Sequence, residues 1–364
     1  MEKTEKLCDL HTHSHYSDGT DSPYQIIERA EETGLDAVAL TDHNCVDGLC
    51  ELVSAAQGRN IEAIPGIEFS TDYFDRELHI VALYVSPEYF DEIRALTMKP
   101  QEDKERSNIE LVSALGKVGI EIDYEKMKAE SPDGKINRAH FAAEIVRLGF
   151  AKTRNEAFLK YLDPSLGLYR PPMRLDTFET IEFIKSIGAV SILAHPFLQM
   201  NRSELRAFLA EAKGRGLDGI ETHYSEFSPV QTEWAIEAAE EFGLLKSGGS
   251  DYHGGNKPNI SLGRGVGSLK VPYRFVEEIK VRGTVKKAHS FCARHRSELE
   301  KDNICGCFYC LRIYSPKEIA KWLPEGSGTA LCPYCGIDSV IGESSGHPIT
   351  DEFLEAMKKY WFER

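Results

Sequence analysis

No stretch of this chain approaches the roughly 18 consecutive apolar residues of a membrane-spanning helix, and the charged opening Met1-Glu-Lys-Thr-Glu-Lys6 carries no apolar signal segment. The expected location is therefore the cytoplasm, with no membrane partner. There is no Gly-x-Ser-x-Gly elbow and no P-loop, which removes the commonest hydrolase and NTPase alternatives. Basic charge is scarce as well: 43 Lys and Arg against 58 Asp and Glu leave a formal net charge of −15. Such a surplus repels polyphosphate backbones and argues against tight, sequence-independent binding of long nucleic acid. Residues 286–364 hold eleven residues of each sign, so the whole surplus lies in residues 1–285, and this asymmetry separates two domains at that point. Cysteine is nearly missing from the acidic part, where Cys8, Cys45 and Cys50 read as small buried apolar residues.

What the chain does have is Asp9-Leu-His11-Thr-His13-Ser-His15-Tyr-Ser-Asp18-Gly19, followed one βα unit later by Thr41-Asp42-His43. Twelve histidines would give about 0.4 His-x-His pairs by chance, so the pair alone decides little. In an extended strand His11 and His13 share a face and can reach one ion. The apolar run Leu35–Leu40 ends at Asp42-His43, as a buried strand does when it delivers polar residues at its C-terminal end. The pattern recurs at Ile61–Ile64 before Gly66-Ile67-Glu68, at His79 within an apolar strand, at Ala189–Leu193 before His195, and at Leu244–Gly249 before Asp251-Tyr-His253. His11, His13, Asp18, His43, Glu68, His79, His195, Asp251 and His253 would thus converge on one mouth of an α/β barrel.

Ser22-Pro23 is a helix start and Gly34 its stop, while Asp176 and Glu179 open another helix that ends at Gly188. Alternation of strand and helix predicts a parallel sheet wrapped by helices and closed into a barrel. Between about residues 97 and 175 helices follow one another without strands, over 102–116, 124–129, 138–148 and 154–162, as an insertion over the mouth. His and carboxylate donors without thiolate suit Zn, Mn or Fe, and Glu68 could bridge two ions, as two-metal phosphoesterases require.

This ordered set of motifs resembles the PHP (polymerase and histidinol phosphatase) family, and within it the bacterial phosphoesterases of nucleoside monophosphates and 3',5'-bisphosphates, over roughly residues 7–285. The resemblance implies a distorted (β/α)7 TIM-like barrel and two or three divalent ions. One ion would take His11, His13, Glu68 and Asp251; a second Glu68, His79 and His195; a third Asp18, His43 and His253. A metal-bridging hydroxide would then attack phosphorus in line, with no protein nucleophile.

Asp9 and Asp42 sit beside ligating histidines and are expected to accept their second ring N–H. Arg138 and His140, opening a helix after Asp133-Gly134, are candidates for the substrate phosphate, since a helix N-terminus with a forked guanidinium suits that anion. The matching segment of the family contributes such contacts. Arg170 and Lys246 are weaker candidates, His15 is a candidate substrate contact without a counterpart in the family, and His223 either touches substrate or packs.

Six of nine cysteines fall in residues 286–364. Cys307-Phe-Tyr-Cys310 and Cys332-Pro-Tyr-Cys335 form two C-x₂-C knuckles with the spacing of a structural zinc site, leaving Cys305, Cys292 and His295 spare. The segment resembles a small family of stand-alone zinc-ribbon proteins, and it offers a surface for a protein partner or a short strand. The reading is thus a metal-dependent phosphatase of small nucleotides. The rivals are a 5'-to-3' exonuclease on short RNA or DNA, a histidinol-phosphate phosphatase, and a non-catalytic metal-binding scaffold that recruits a partner through the zinc module.

Overall fold

The computed structural model describes residues 5–131 and 136–363. The chain divides into two compact units, Met1–Val276 and Glu277–Arg364, with the division inside one helix. No described helix is long and apolar enough to cross a membrane.

The first unit is built on one sheet of β1 (Leu7–Asp9), β2 (Ala37–Leu40), β3 (Glu62–Tyr73), β4 (Arg76–Leu83), β5 (Leu175–Asp176), β6 (Val190–Leu193), β7 (Gly219–Tyr224), β8 (Leu245–Gly249) and β9 (Val271–Pro272). The order is β8-β7-β6-β4-β3-β2-β1-β9, with β5 beside β3. The path curls until β8 meets the residues after β1: Leu10 N–H donates to Gly248 O at 3.1 Å, and Thr12 bridges Tyr252. The sheet is therefore a nearly closed, TIM-like barrel, as the sequence implies.

The sheet is not wholly parallel. β4 runs antiparallel to both β3 and β6. The cause is local: Tyr73 pairs with Arg76, so only Phe74 (φ 50°) and Asp75 (φ 65°) join β3 to β4. A two-residue loop with both residues at positive φ makes a hairpin, whereas a parallel neighbour would need a crossover of a dozen or so residues.

Helices α1 (Pro23–Thr33) and α2 (Leu49–Ala55) follow the first two strands. Ser22 and Gln25 form a capping box on α1, and Gly34 ends it at φ 79°. The insertion between β4 and β5 comprises α3 (Phe90–Lys117), α4 (Tyr124–Glu130), α5 (Arg138–Arg147) and α6 (Arg154–Ala157). α3 starts well before the expected Glu102 and runs through Pro100, and a five-residue π turn, Phe158–Leu162, extends α6. Asp133 and Gly134, read as the approach to α5, lie outside the described residues. The insertion has its own core, including Leu111, Leu115, Phe141, Ile145 and Leu162. After β5 come α7 (Thr177–Ser186), capped by Asp176, then α8 (Arg202–Arg215) and α9 (Pro229–Phe242). Their apolar faces join α1 and the strands in the main core, with Ile26, Val38, Phe69, Ile184 and Phe208 among its buried members.

α10 (Arg274–His289) carries the chain into the second unit, which contains α11 (Arg296–Leu299), β10 (Cys305–Cys307), β11 (Ile313–Tyr314), β12 (Trp322–Leu323), β13 (Thr329–Ala330), β14 (Val340–Gly342) and α12 (Asp351–Phe362). Its sheets are small, β11-β10-β14 and β12-β13, and its apolar residues split into two modest clusters around Leu354 and Leu299.

Candidate metal centre

The barrel strands bring all nine candidate donors together. His11 and His13 follow β1 in extended chain, each fully buried, while Asp18 lies in the next loop. His43 follows β2, His195 follows β6, and Asp251 and His253 follow β8. Glu68 sits in the middle of β3 and His79 in the middle of β4. The hairpin is what places them there, because its two strands overshoot the barrel mouth. His195 (φ 26°) and Asp251 (φ 55°) occupy left-handed backbone, the kind of strain that collects at functional sites.

Glu68 is the centre of the arrangement. Its Oε2 lies 3.2 Å from His11 Nε2, 3.2 Å from His13 Nε2 and 3.1 Å from His43 Nδ1. Its Oε1 lies 2.7 Å from His79 Nδ1 and 3.0 Å from His195 Nε2. Asp251 Oδ1 is 3.3 Å from His13 Nε2 and 3.8 Å from His11 Nε2. Asp18 joins from the other side, with Oδ1 3.1 Å from His253 Nε2 and Oδ2 3.9 Å from His43 Nε2. The donors fall into overlapping groups, His11-Glu68-His195, His11-His13-Asp251, His43-Glu68-His79 and His13-Asp18-His43-His253, within each of which the ligand atoms lie no more than 4.8 Å apart.

The electrostatics fit cations. Glu68 Oε2 and His43 Nδ1 are buried without a hydrogen-bond partner although they lie 3.1 Å apart, a costly state for lone pairs that a shared cation would relieve. Burial alone would lift the Glu68 carboxyl, yet His43, His11 and His79 hold it well below the usual carboxylate range. Burial pushes the His43 imidazole down to about 3 against the pull of Glu68 and Asp18. For His79 burial is outweighed by Glu68 and Glu77, and its value rises to about 10.

Asp9 and Asp42 do a different job from the one expected. Asp9 accepts from Ser250 N–H and O–H, Gly263 N–H and His11 N–H, while Asp42 accepts from Ser14 N–H and from the hydroxyls of Ser14 and Ser17. Both carboxylates fasten the loop backbones that carry ligands; the serines reach them first because they sit on the facing loops. The imidazole acceptor is Glu221 on β7, almost fully buried, which takes His11 Nδ1–H at 3.0 Å and His195 N–H at 2.6 Å. The signal that could have found it is Gly219-Ile220-Glu221, a repeat of Gly66-Ile67-Glu68. Lys257 and Tyr224 were also not foreseen; both donate to Asp251 Oδ2, at 2.6 and 2.8 Å, leaving Oδ1 turned toward the histidines.

A cavity of about 410 Å³ adjoins the donors, floored by Asp18, His43 and His79 and walled by the insertion. Arg138 lines it; its guanidinium lies over the Tyr169 and Phe158 rings at 5.1 and 5.9 Å. His140 does not line it, because its Nδ1 accepts from Asn137 N–H in the capping box of α5. Asn137 itself donates to Asp18 Oδ2 at 3.0 Å. Arg170 is paired with Asp103 and Glu110, and Lys246 with Glu240, both outside the cavity. His15 lies against Tyr16 with the rings tilted, and His223 packs edge-on against Phe275 and bonds the Thr222 hydroxyl.

In the second unit Cys307, Cys310, Cys332 and Cys335 form one cluster. Cys307 and Cys335 sulfurs are 3.6 Å apart, and those of Cys310 and Cys332 are 3.7 Å apart. A disulfide would need about 2.05 Å, whereas a tetrahedron of Zn–S bonds of about 2.3 Å has edges of about 3.8 Å. Each knuckle ends on a left-handed residue, Leu311 (φ 64°) and Gly336 (φ 78°), which turns backbone back toward the thiols. Cys305 points instead to Tyr314 O, and Cys292 to Ala288 O.

Residues 9–155 match the family model described as the PHP domain. The chain is 33% identical over 249 residues to a 5'-3' exoribonuclease of Haemophilus influenzae, covering 68% of this chain and 90% of that protein. It is 30% identical over 248 residues to a 3',5'-nucleoside bisphosphate phosphatase of Chromobacterium violaceum, covering 67% and 86%. A solved structure from Bifidobacterium adolescentis, assigned as a metal-dependent phosphoesterase, shares the fold with a TM-score of 0.67 at 28% identity, covering 76% of this chain and 96% of that one.

Proposed function

The chain belongs to the PHP family, and from that premise we propose that it is a metal-dependent phosphoesterase that hydrolyses phosphomonoesters of small nucleotides, a nucleoside 5'-monophosphate or 3',5'-bisphosphate. The observation that carries this reading is the set of nine His, Asp and Glu donors around Glu68, opening on a cavity of about 410 Å³. That volume is of the order of one mononucleotide. In this reading His11, His13, Glu68 and Asp251 hold one ion, Glu68, His79 and His195 a second, and Asp18, His43 and His253 a third. The donor set suits Zn, Mn or Fe. When bound, the ions supply an activated water and neutralise charge on the phosphoryl oxygens.

The chain's own residues supply the rest. Arg138 faces the cavity as a fork for phosphate oxygens, with its plane supported by Tyr169 and Phe158. Lys104 and Lys128 also line the wall, Lys128 paired with Glu105 at 3.0 Å. Glu221 fixes the His11 ring, and Lys257 with Tyr224 fixes the Asp251 carboxylate. The four cysteines hold a structural zinc that stabilises the second unit.

The test is phosphate release by metal-reconstituted protein from nucleoside monophosphates, 3',5'-bisphosphates, short 5'-phosphorylated oligonucleotides and histidinol phosphate. Activity on a nucleotide that survives both His43→Ala and Asp251→Asn would refute the reading. A second reading, trimming of short RNA from the 5' end, is favoured by the similarity to the Haemophilus influenzae exoribonuclease. In that case deletion of residues 286–364 lowers oligonucleotide activity and spares mononucleotides.

A further inference from the structure

Glu77 is anomalous by charge. It lines the cavity that a phosphorylated substrate would enter, and a carboxylate there repels the anion. Its partners account for its presence. Glu77 and His79 stand two residues apart on β4 and share a face. Glu77 Oε1 lies 3.4 Å from His79 Nε2, while His79 turns Nδ1 toward Glu68 Oε1 at 2.7 Å. An acceptor on Nε2–H selects the tautomer whose Nδ1 lone pair is left for a cation.

The second oxygen works on the other side. Glu77 Oε2 accepts from Arg174 Nη2 at 2.7 Å and lies 3.7 Å from Arg138 Nη2. Arg138 is the first residue of α5 and Arg174 immediately precedes β5, so one carboxylate on a barrel strand reaches the insertion at two separate points. Both guanidiniums line the same cavity. Side-chain exposure is 29% for Glu77 and 14% for Arg174, which sets this pair apart from the solvated surface pairs that contribute little.

We propose that Glu77 is a positioning residue, one carboxyl oxygen orienting the His79 ring toward the metal centre and the other holding Arg174 and Arg138 for the phosphate oxygens of the substrate. It rests on the phosphoesterase reading for the arginines and on the metal-ligand reading for His79. Glu77→Gln keeps the shape and one acceptor oxygen but removes the charge; Glu77→Ala removes everything. The two variants and the wild type are compared for thermal melting, for metal per chain by elemental analysis, and for KM and kcat on a nucleoside monophosphate. Glu77→Gln is expected to keep the wild-type metal content and kcat within about twofold while KM rises at least about fivefold. Glu77→Ala is expected to raise KM similarly and also to lose about one metal ion per chain. A Glu77→Ala protein with wild-type metal content, or a Glu77→Gln protein with unchanged or lower KM, overturns the proposal. Should the wild type release phosphate from none of the substrates, the phosphoesterase reading falls, and the metal content of Glu77→Ala still decides the role at His79.

Discussion

Glu221→Ala is the sharpest test of how the metal centre is held. The change strips the acceptor from His11 Nδ1–H and from His195 N–H, both of which are buried. Hydrogen bonds to a charged acceptor contribute about 1.5–3 kcal/mol each, and a donor left buried and unpaired adds to the loss. The expected destabilisation is about 3–5 kcal/mol, which at about 2–4 °C per kcal/mol for a unit of this size lowers Tm by about 10 °C. The affinity of the barrel for its cations should fall by about 10–100-fold, because the His11 ring loses the partner that fixes its tautomer. Glu221→Gln offers a single acceptor oxygen, and its amide N–H₂ opposes the remaining donor, so about half of the effect should persist. The assays are calorimetric melting of the chelated and metallated protein, with metal titration of each variant. A Glu221→Ala protein that melted within about 2 °C of the wild type and bound metal with unchanged affinity would refute the argument.

pH should act on the chelated protein in opposite directions on either side of about 6.5, the ordinary value of an imidazole. His13 and His79 rise to about 9 and about 10, so their contribution is full below 6.5 and is lost as pH climbs toward those values; His43 falls to about 3, so its contribution is full above 6.5 and is lost as pH drops. Melting of the chelated protein should therefore weaken from pH 7 to pH 9, while the metallated protein, whose cations replace those protons, gains affinity over the same range; parallel pH profiles would count against it. Cys310→Ser, or stripping zinc with a strong chelator, should remove one zinc and expose residues 290–363 to limited proteolysis, since two small apolar clusters cannot hold that unit alone; an intact digestion pattern would contradict a structural zinc. Gly249→Ala should abolish metal binding at His11, because a Cβ at Gly249 would overlap the His11 backbone and Cβ, and elemental analysis of a folded variant tests it.

His43, Glu68, His195, Asp251 and His253 were legible because each stands just past an apolar run, where a polar residue has no reason to be unless the strand ends at a mouth, and His79 because it interrupts one. Their convergence followed from the barrel. The direction of β4 was not legible: Phe74-Asp75 lacks the Gly or Asn that marks a two-residue hairpin, and the apolar stretch around His79 reads the same in either direction. The partners of the histidines were hidden for another reason. Asp42 is turned away from its neighbour His43 by the alternation of the strand, Asp9 is taken up by Ser250, Gly263 and backbone N–H groups, and the residue that reaches the His11 ring comes from β7, 210 positions away. His140 misled because the third position of a helix serves capping as readily as it serves an anion.

The two candidate metal centres of this chain share no donor type except by exclusion. The barrel offers imidazole and carboxylate without thiolate, and the second unit offers four thiolates alone. Softness then sorts the ions: four thiolates at tetrahedral edges select zinc, while a carboxylate bridging between imidazoles accepts Zn, Mn or Fe with little discrimination. The consequence follows for function. A centre whose ligands are fixed by Glu221, Asp251's two donors and the Glu77 contact needs no selectivity of its own, provided each ion supplies charge at the right place beside the cavity. In the proposed reading the four-thiolate cluster has the opposite requirement, since its ion would be part of the fold and would have to stay, so zinc supply would decide the integrity of one unit while the supply of Zn, Mn or Fe would decide the turnover of the other.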